Sequence, residues 1–394
     1  MAEKAKKEKN VKRQNVSKAE DNLADCVVDD GYFDVMEDKT VVVYAVGGTI
    51  AMKTDEKGAL VPAASGEDLT NAVPGLKDLC NLEVVEFSNI PSGAVTPDMM
   101  LKLSREIQKT LERPEVAGVV VTHGTDTLEE TAFFLNISLA EDFLNTVNKP
   151  IVVTGAMRGA DAVGADGPAN ILASVRVACH DVDDFTPPVV VCLNDEIQSA
   201  SRVTKTHSGN CDTFQSPGWG PVGYVDEDRV YYRRSCDPMD EGLNFPTPKK
   251  LTAKVALVKA VTGDKGEFVD FAVSKGYDGI VVEGFGRGNV PFTMIPSIKK
   301  AVDAGVVVVI ATRTAAGRVL DCYGYKGSVT DALSVGAVMG GEMTAAKARL
   351  LLMYLLSQKR VQKIKEVDPD RFRAYLQETF DPVVTDRLFV TEKI

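Results

Sequence analysis

From Thr40 onward, short runs rich in valine and isoleucine alternate with stretches in which apolar residues recur every three or four positions. The first pattern predicts strands and the second predicts amphipathic helices. On this basis strands are expected near 41–46, 83–87, 117–122, 150–153 and 189–193, and helices near 97–111, 127–143 and 167–180. Strands that read as apolar on both faces, with helices between them, predict a doubly wound parallel sheet. The right-handed crossover rule then gathers the loops that follow the strands on one rim.

From Asp237 to Lys250 the chain carries three prolines and no regular period, which is the composition of a linker. Beyond it the alternation resumes, with strands expected near 253–258, 278–283 and 305–311. Helices are expected near 266–276, 292–304, 329–335, 344–358 and 368–378. Residues 1–38 mix lysine, glutamate and aspartate with little apolar periodicity, so burial cannot offset the entropy of ordering them. The expected organisation is a disordered charged tail over 1–38, a larger α/β domain over 39–235, a linker over 236–252 and a smaller α/β domain over 253–394.

Composition narrows the function classes. The 394 residues, 44% apolar and 26% charged, can bury a full core, and a formal net charge of −11 argues against a partner held through its phosphate backbone. A small-molecule substrate is therefore expected, with no nucleic acid. The basic start lacks the apolar run of a signal peptide, and no stretch approaches the roughly 18 apolar residues of a membrane span, so a cytoplasmic location is expected. Seven scattered cysteines (Cys26, Cys80, Cys179, Cys192, Cys211, Cys236, Cys322) without CxxC pairs fit reduced thiols. With only three histidines, His123, His180 and His207, no metal site is expected.

The candidate chemistry lies where strands end. The run Thr40 to Ala45 leads through Gly47-Gly48 to Thr49, and the run Gly118 to Thr122 leads through His123-Gly124 to Thr125-Asp126. Open α/β sheets bind ligands at the carboxyl ends of their strands, so two hydroxyls delivered there suggest one shared pocket. Each piece also has an ordinary reading. Gly-Gly-Thr alone is a tight turn, and Asp126 or Thr127 can cap a helix whose first turn holds Glu129 and Glu130. Gly155-Ala-Met-Arg158 and Ala165-Asp-Gly-Pro-Ala-Asn170 read as loop architecture, with Asp166 as N-cap and Pro168 in the first turn. His123 reads as a structural histidine. Lys205, between Thr204 and Thr206, is either a solvated lysine or one turned toward the rim.

Taken together, Val46-Gly-Gly-Thr-Ile-Ala51, Thr122-His-Gly-Thr-Asp-Thr-Leu-Glu-Glu-Thr131, Gly155-Ala-Met-Arg158, Ala165-Asp-Gly-Pro168 and Val203-Thr-Lys-Thr206 resemble the bacterial-type L-asparaginases and glutaminase-asparaginases. The resemblance runs from about Val41 to the C-terminus. It implies a larger flavodoxin-like N-terminal domain and a smaller C-terminal α/β domain, assembled as homotetramers of intimate dimers. It also implies hydrolysis of the side-chain amide of asparagine, sometimes glutamine, without metal or cofactor. On the matching positions Thr49 is the implied nucleophile, and Thr125, Lys205 and Asp126 form the second catalytic group. Gly48 and Ser92 are implied in substrate binding, Ser92 at the substrate α-carboxylate, and Asp126 at its α-ammonium. Asn289 matches a smaller-domain residue that completes a neighbouring subunit's site.

Three positions depart from that pattern. The segment Lys53 to Glu67, where the family carries a lid tyrosine, has none; Gly93 stands where many members have glutamine; and no residue in Arg313 to Tyr323 matches the interfacial glutamate. Tyr323 or Tyr325 is a candidate replacement for the lid tyrosine. Two other readings are compatible with the same residues: the amidase subunit of a tRNA-dependent amidotransferase, and a non-catalytic amino-acid-binding protein.

Overall fold

The computed structural model describes residues 36–54, 60–62, 65–71, 73–139, 141–181, 186–233 and 247–381. The expected charged tail, apart from its last three residues, and most of the expected linker lie outside these residues.

Five parallel strands form the centre of the larger domain: β1 (Met36–Ala45), β2 (Cys80–Glu86), β3 (Val116–Thr122), β4 (Ile151–Thr154) and β5 (Val189–Leu193). Their spatial order is β2-β1-β3-β4-β5, the flavodoxin-like order, and the switch in winding direction falls between β1 and β3. Ala45 is level with Thr122, and Thr122 with Thr154, so three strand ends stop in line. The side chains of β1, β3, β4 and β5 are largely buried because helices cover both faces, notably α1 (Pro97–Leu111), α2 (Leu128–Ser138) and α3 (Gly167–Cys179), while the edge strand β2 is mostly half-buried.

The sheet then extends in a way the apolar runs did not announce. Antiparallel strands β6 (Glu196–Ser199), β7 (Gly223–Asp226) and β8 (Arg229–Tyr232) follow β5 to make eight strands. The turn into β6 is made by Asn194 and Asp195, both at positive φ (54° and 59°), a conformation these short polar side chains tolerate. The helix expected over 127–143 is in fact two, α2 and Glu141–Val147, and β1 begins at Met36, before the expected domain boundary.

In the smaller domain β9 (Val255–Lys259), β10 (Gly279–Gly284), β11 (Val307–Thr312) and β12 (Val338–Met339) form a four-stranded parallel sheet in sequential order. Helices α4 (Glu267–Ser274), α5 (Ile295–Asp303) and α6 (Ala345–Leu356) flank it, with further helices over Val329–Ser334, Lys359–Val367 and Pro369–Phe380.

The two domains share a core. Phe133, Phe134 and Ile137 of α2 pack in one cluster with Leu351, Leu352 and Leu355 of α6 and Val281 of β10. The Phe134 ring meets Tyr354 edge to face, with centroids 6.2 Å apart. Apart from Glu129 and Glu130 in its first turn, helix α2 is therefore buried, against its own sheet on one side and the smaller domain on the other. Its N-terminus is thereby fixed relative to both domains.

Candidate active site

The loop after β1 approaches the loop after β3 as closely as backbone can. Gly48 has φ of 92°, and a Cβ placed on it would lie 2.1 Å from Gly124 Cα. Gly47, at φ 114°, would collide with the Ile90 carbonyl oxygen at 2.6 Å. Only glycine satisfies both the backbone angle and the approach. Thr49 leaves this contact on one chain segment, half-buried in the short 3-10 turn Thr49–Ala51, and Thr125 leaves it on the other, fully buried.

Ser92 closes the third side. It is buried, and a Cβ on Gly124 would lie 2.8 Å from its hydroxyl. Its carbonyl accepts a hydrogen bond from the Thr127 hydroxyl at 2.8 Å. Thr127 therefore does not cap α2 with its side chain, as the sequence pattern suggests, but ties the Ser92 turn to that helix. Gly93, the next residue, faces open space.

Lys205 reaches the same place from across the domain. Its Nζ donates to Thr125 Oγ1 at 2.9 Å and to Asp126 Oδ1 at 2.8 Å. The Lys205 side chain is only 16% exposed, whereas that of Asp126 is 79% exposed, so the ammonium lies inside and its partner carboxylate looks outward. Glu129, in the first turn of α2, accepts from Lys205 N at 2.6 Å and from Thr204 Oγ1 at 2.8 Å. The sequence suggests only a helix-dipole role for Glu129. Here it holds the short strand Thr204–Lys205, which pairs with Phe214–Gln215.

His123 is scaffolding. A carbonyl only accepts, so Nδ1 carries the proton and donates to Gly124 O at 2.8 Å, while Nε2 accepts from the Thr131 hydroxyl at 2.9 Å. Complete burial pushes its pKa down to about 4, against the bond to Gly124 O. The neutral ring thus pins the loop that carries Thr125. Asp166 is scaffolding too, though not as the side-chain cap expected. Its carboxylate accepts from the main-chain N–H groups of Met157 and Arg158, both at 2.9 Å.

The remaining sequence candidates lie in the smaller domain. Asn289 is partly buried, its Oδ1 accepting from Val329 N at 3.3 Å. Tyr323 and Tyr325 are exposed, with rings 5.5 Å apart. The segment after Thr49 includes a small hairpin of Met52–Thr54 with Leu60–Pro62, and its remaining lid positions lie largely outside the described residues. Among the described residues, no group of three or more histidine, cysteine, aspartate or glutamate side chains could hold a metal ion, and no helix is long and apolar enough to cross a membrane.

Fold and loops together define a flavodoxin-like enzyme scaffold in which the loops after β1 and β3, carrying Thr49 and Thr125, meet at the topological switch point. Residues 40–237 match the family model for the N-terminal domain of asparaginase, and residues 254–369 match that for the glutaminase/asparaginase C-terminal domain. The chain belongs to the asparaginase family. It is 36% identical over 321 residues to an L-asparaginase of Bacillus licheniformis, covering 81% of this chain and 96% of that protein. It is also 34% identical over 342 residues to a subunit of the glutamyl-tRNA(Gln) amidotransferase of Pyrococcus abyssi, covering 83% of this chain and 74% of that one. Among solved structures, the crystal structure of a probable cytoplasmic L-asparaginase from Campylobacter jejuni superposes with a TM-score of 0.73 at 30% identity, covering 86% of this chain and 99% of the other.

Proposed function

We propose that this protein hydrolyses the side-chain amide of L-asparagine to L-aspartate and ammonia by double displacement, with Thr49 as nucleophile. The Thr49 hydroxyl attacks the amide carbon, the C–N bond breaks and ammonia leaves with a proton. Water then cleaves the threonyl ester. A hydroxyl is a weak nucleophile at neutral pH and needs a partner that moves its proton. The unprotonated amine of Lys205, relayed through Thr125, supplies that partner: it takes the Thr49 proton, becomes an ammonium balanced by Asp126, and returns the proton to the departing ammonia. Main-chain N–H groups in the two glycine loops face the developing oxyanion, an arrangement in which each donor is worth about 3 kcal/mol of barrier.

The observation that carries this reading is the 2.9 Å contact between Lys205 Nζ and the buried hydroxyl of Thr125, beside the loop that presents Thr49. In the substrate, the α-carboxylate sits at Ser92 and the α-ammonium at the outward-facing Asp126. Asn289 completes the site of a neighbouring subunit in a homotetramer or homodimer, and glutamine is a secondary substrate. The enzyme works in the cytoplasm. Ammonia release from L-asparagine, L-glutamine and D-asparagine, measured on the purified protein beside Thr49→Ala, tests the reading. Release from L-asparagine that Thr49→Ala abolishes supports it, and no release from any of the three rejects it.

A second reading, the amidase subunit of a tRNA-dependent amidotransferase, is favoured by the likeness to the Pyrococcus amidotransferase chain. The two separate on one result. Free turnover of asparagine by the isolated chain supports the first, and turnover only with a copurified partner protein supports the second.

A further inference from the structure

Lys205 lies on no strand of the large sheet. After β6 runs back beside β5, Ser199 stands opposite Val190, and six residues later Lys205 N is bonded to Glu129 at the start of α2. The intervening segment is gripped by the other domain. Lys347, in the first turn of α6, is 1% exposed, and its Nζ donates to the carbonyl oxygens of Ala200 at 3.1 Å, Ser201 at 3.1 Å and Val203 at 2.6 Å. The same ammonium lies 5.7 Å from the centre of the Phe133 ring on α2. An ammonium has three N–H groups, and here three main-chain carbonyls in one turn take them. Beside this grip, Arg202 of the same turn pairs with Glu342 of the smaller domain at 2.5 Å, and its guanidinium stacks over Trp219 at 4.1 Å.

We infer that Lys347 is a positioning residue for the amidohydrolase reaction: its ammonium, carried on the smaller domain, fixes the turn 200–203 and thereby holds Lys205 Nζ on Thr125 Oγ1. The inference rests on the functional reading above. The hydrogen bonds of the Lys347 ammonium go to the backbone that leads to Lys205, so its part in the reaction is through that turn. A buried ammonium is costly unless its charge and donors are answered, and the three carbonyls and the aromatic face answer them here. The smaller domain thereby has a part in each chain's own catalytic group, separate from any contribution by Asn289 to a neighbour. A misplacement of about 1 Å at a reacting group typically costs about 100-fold in rate.

The test is steady-state ammonia release from L-asparagine by Lys347→Met, with thermal melting and amide hydrogen exchange over residues 199–206 on the same samples. Leu355→Ala, a cavity in the same helix, controls for plain destabilisation. The expected result is a kcat lowered about 100-fold with KM within about two-fold of wild type, faster exchange over 199–206, and a Leu355→Ala protein that melts earlier but keeps its kcat. A folded Lys347→Met protein with wild-type kcat overturns the inference. Should that variant not fold, Lys347→Gln, which removes the charge but keeps a polar side chain, decides: kcat reduced at least several-fold at constant KM supports the inference, and an unchanged kcat overturns it. If the wild-type protein releases no ammonia from L-asparagine, the functional reading has failed. The exchange measurement alone then decides the positioning role, with unchanged exchange in Lys347→Met against it.

Discussion

Lys205 Nζ and Thr125 Oγ1 meet at 2.9 Å although 80 positions separate them in the chain. In the proposed mechanism this contact is the path by which the proton of Thr49 reaches the lysine. Lys205→Met is accordingly expected to lower kcat for asparagine by about 100- to 10,000-fold, the range for losing a positioned acid-base group, while substrate binding changes much less. Ammonia release under saturating asparagine measures it. A kcat within a few-fold of wild type would remove Lys205 from the mechanism.

Asp126 shares the ammonium of Lys205 but faces water, with a side chain 79% exposed. An ion pair so exposed adds little to folding stability. Asp126→Asn is therefore expected to melt close to wild type while KM for asparagine rises, because the amide cannot match the carboxylate as a partner for an α-ammonium. Thermal melting and a KM measurement on the same preparation separate the two roles. A large drop in melting temperature with unchanged KM would make Asp126 structural.

The loops of this site were partly legible in the sequence, since paired glycines permit a close approach even though Gly-Gly-Thr alone reads as a tight turn. Gly47 and Gly48 allowed the backbone that the structure shows other residues cannot adopt, and the apolar runs announced the buried strands. The antiparallel extension was not legible. Glu196–Ser199 and Arg229–Tyr232 are only four residues long and carry charged or polar side chains, so no apolar run marks them. Lys347 was hidden for a different reason. A lysine in a first helical turn ordinarily faces solvent, and only the leucines crowding the rest of that helix, Leu350, Leu351 and Leu352 among them, hint that it is buried all round. Glu129 suited the helix dipole so well that its bond to Lys205 N had no sequence signature.

Stability should fall in mild acid because of His123. Its folded-state pKa is depressed to about 4 from the ordinary 6.5, so below pH 6.5 the unfolded chain binds a proton that the folded chain refuses. The contribution is complete above pH 6.5 and is lost as pH falls through 4, about 3 kcal/mol in all. Urea midpoints between pH 7.5 and pH 4 should decline accordingly, and replacing His123 with glutamine should flatten part of that decline. A protonated Nε2 could no longer accept from Thr131, so the loop holding Thr125 is expected to loosen over the same range.

Gly48→Ala tests the close approach itself. The methyl group would lie 2.1 Å from Gly124 Cα, on a residue with φ of 92°. Backbone strain alone costs on the order of 1–3 kcal/mol, and relieving the collision must also push the two loops apart. Loss of asparagine turnover together with a lowered denaturation midpoint is the expected outcome. A fully active Gly48→Ala protein would mean that Thr49 and Thr125 need not be held at this spacing.

Gly93 offers a change in the opposite direction. Where many asparaginases carry a glutamine beside the serine that meets the α-carboxylate, this chain has a glycine, and a Cβ there would meet nothing within 4 Å. Its φ lies outside the left-handed region, so a side chain brings no backbone strain. Gly93→Gln should therefore fold as well as wild type, since surface substitutions of this kind usually shift stability by less than about 0.5 kcal/mol. If Ser92 holds the α-carboxylate, the added amide gives that group one more hydrogen bond. KM for asparagine is then expected to fall by about five- to ten-fold, the equivalent of one ordinary net hydrogen bond of about 1 kcal/mol. Because the contact is made to a part of the substrate that does not react, ground state and transition state gain equally and kcat should stay where it is. A changed kcat at constant KM would instead place the substrate's reacting amide, rather than its carboxylate, against Ser92.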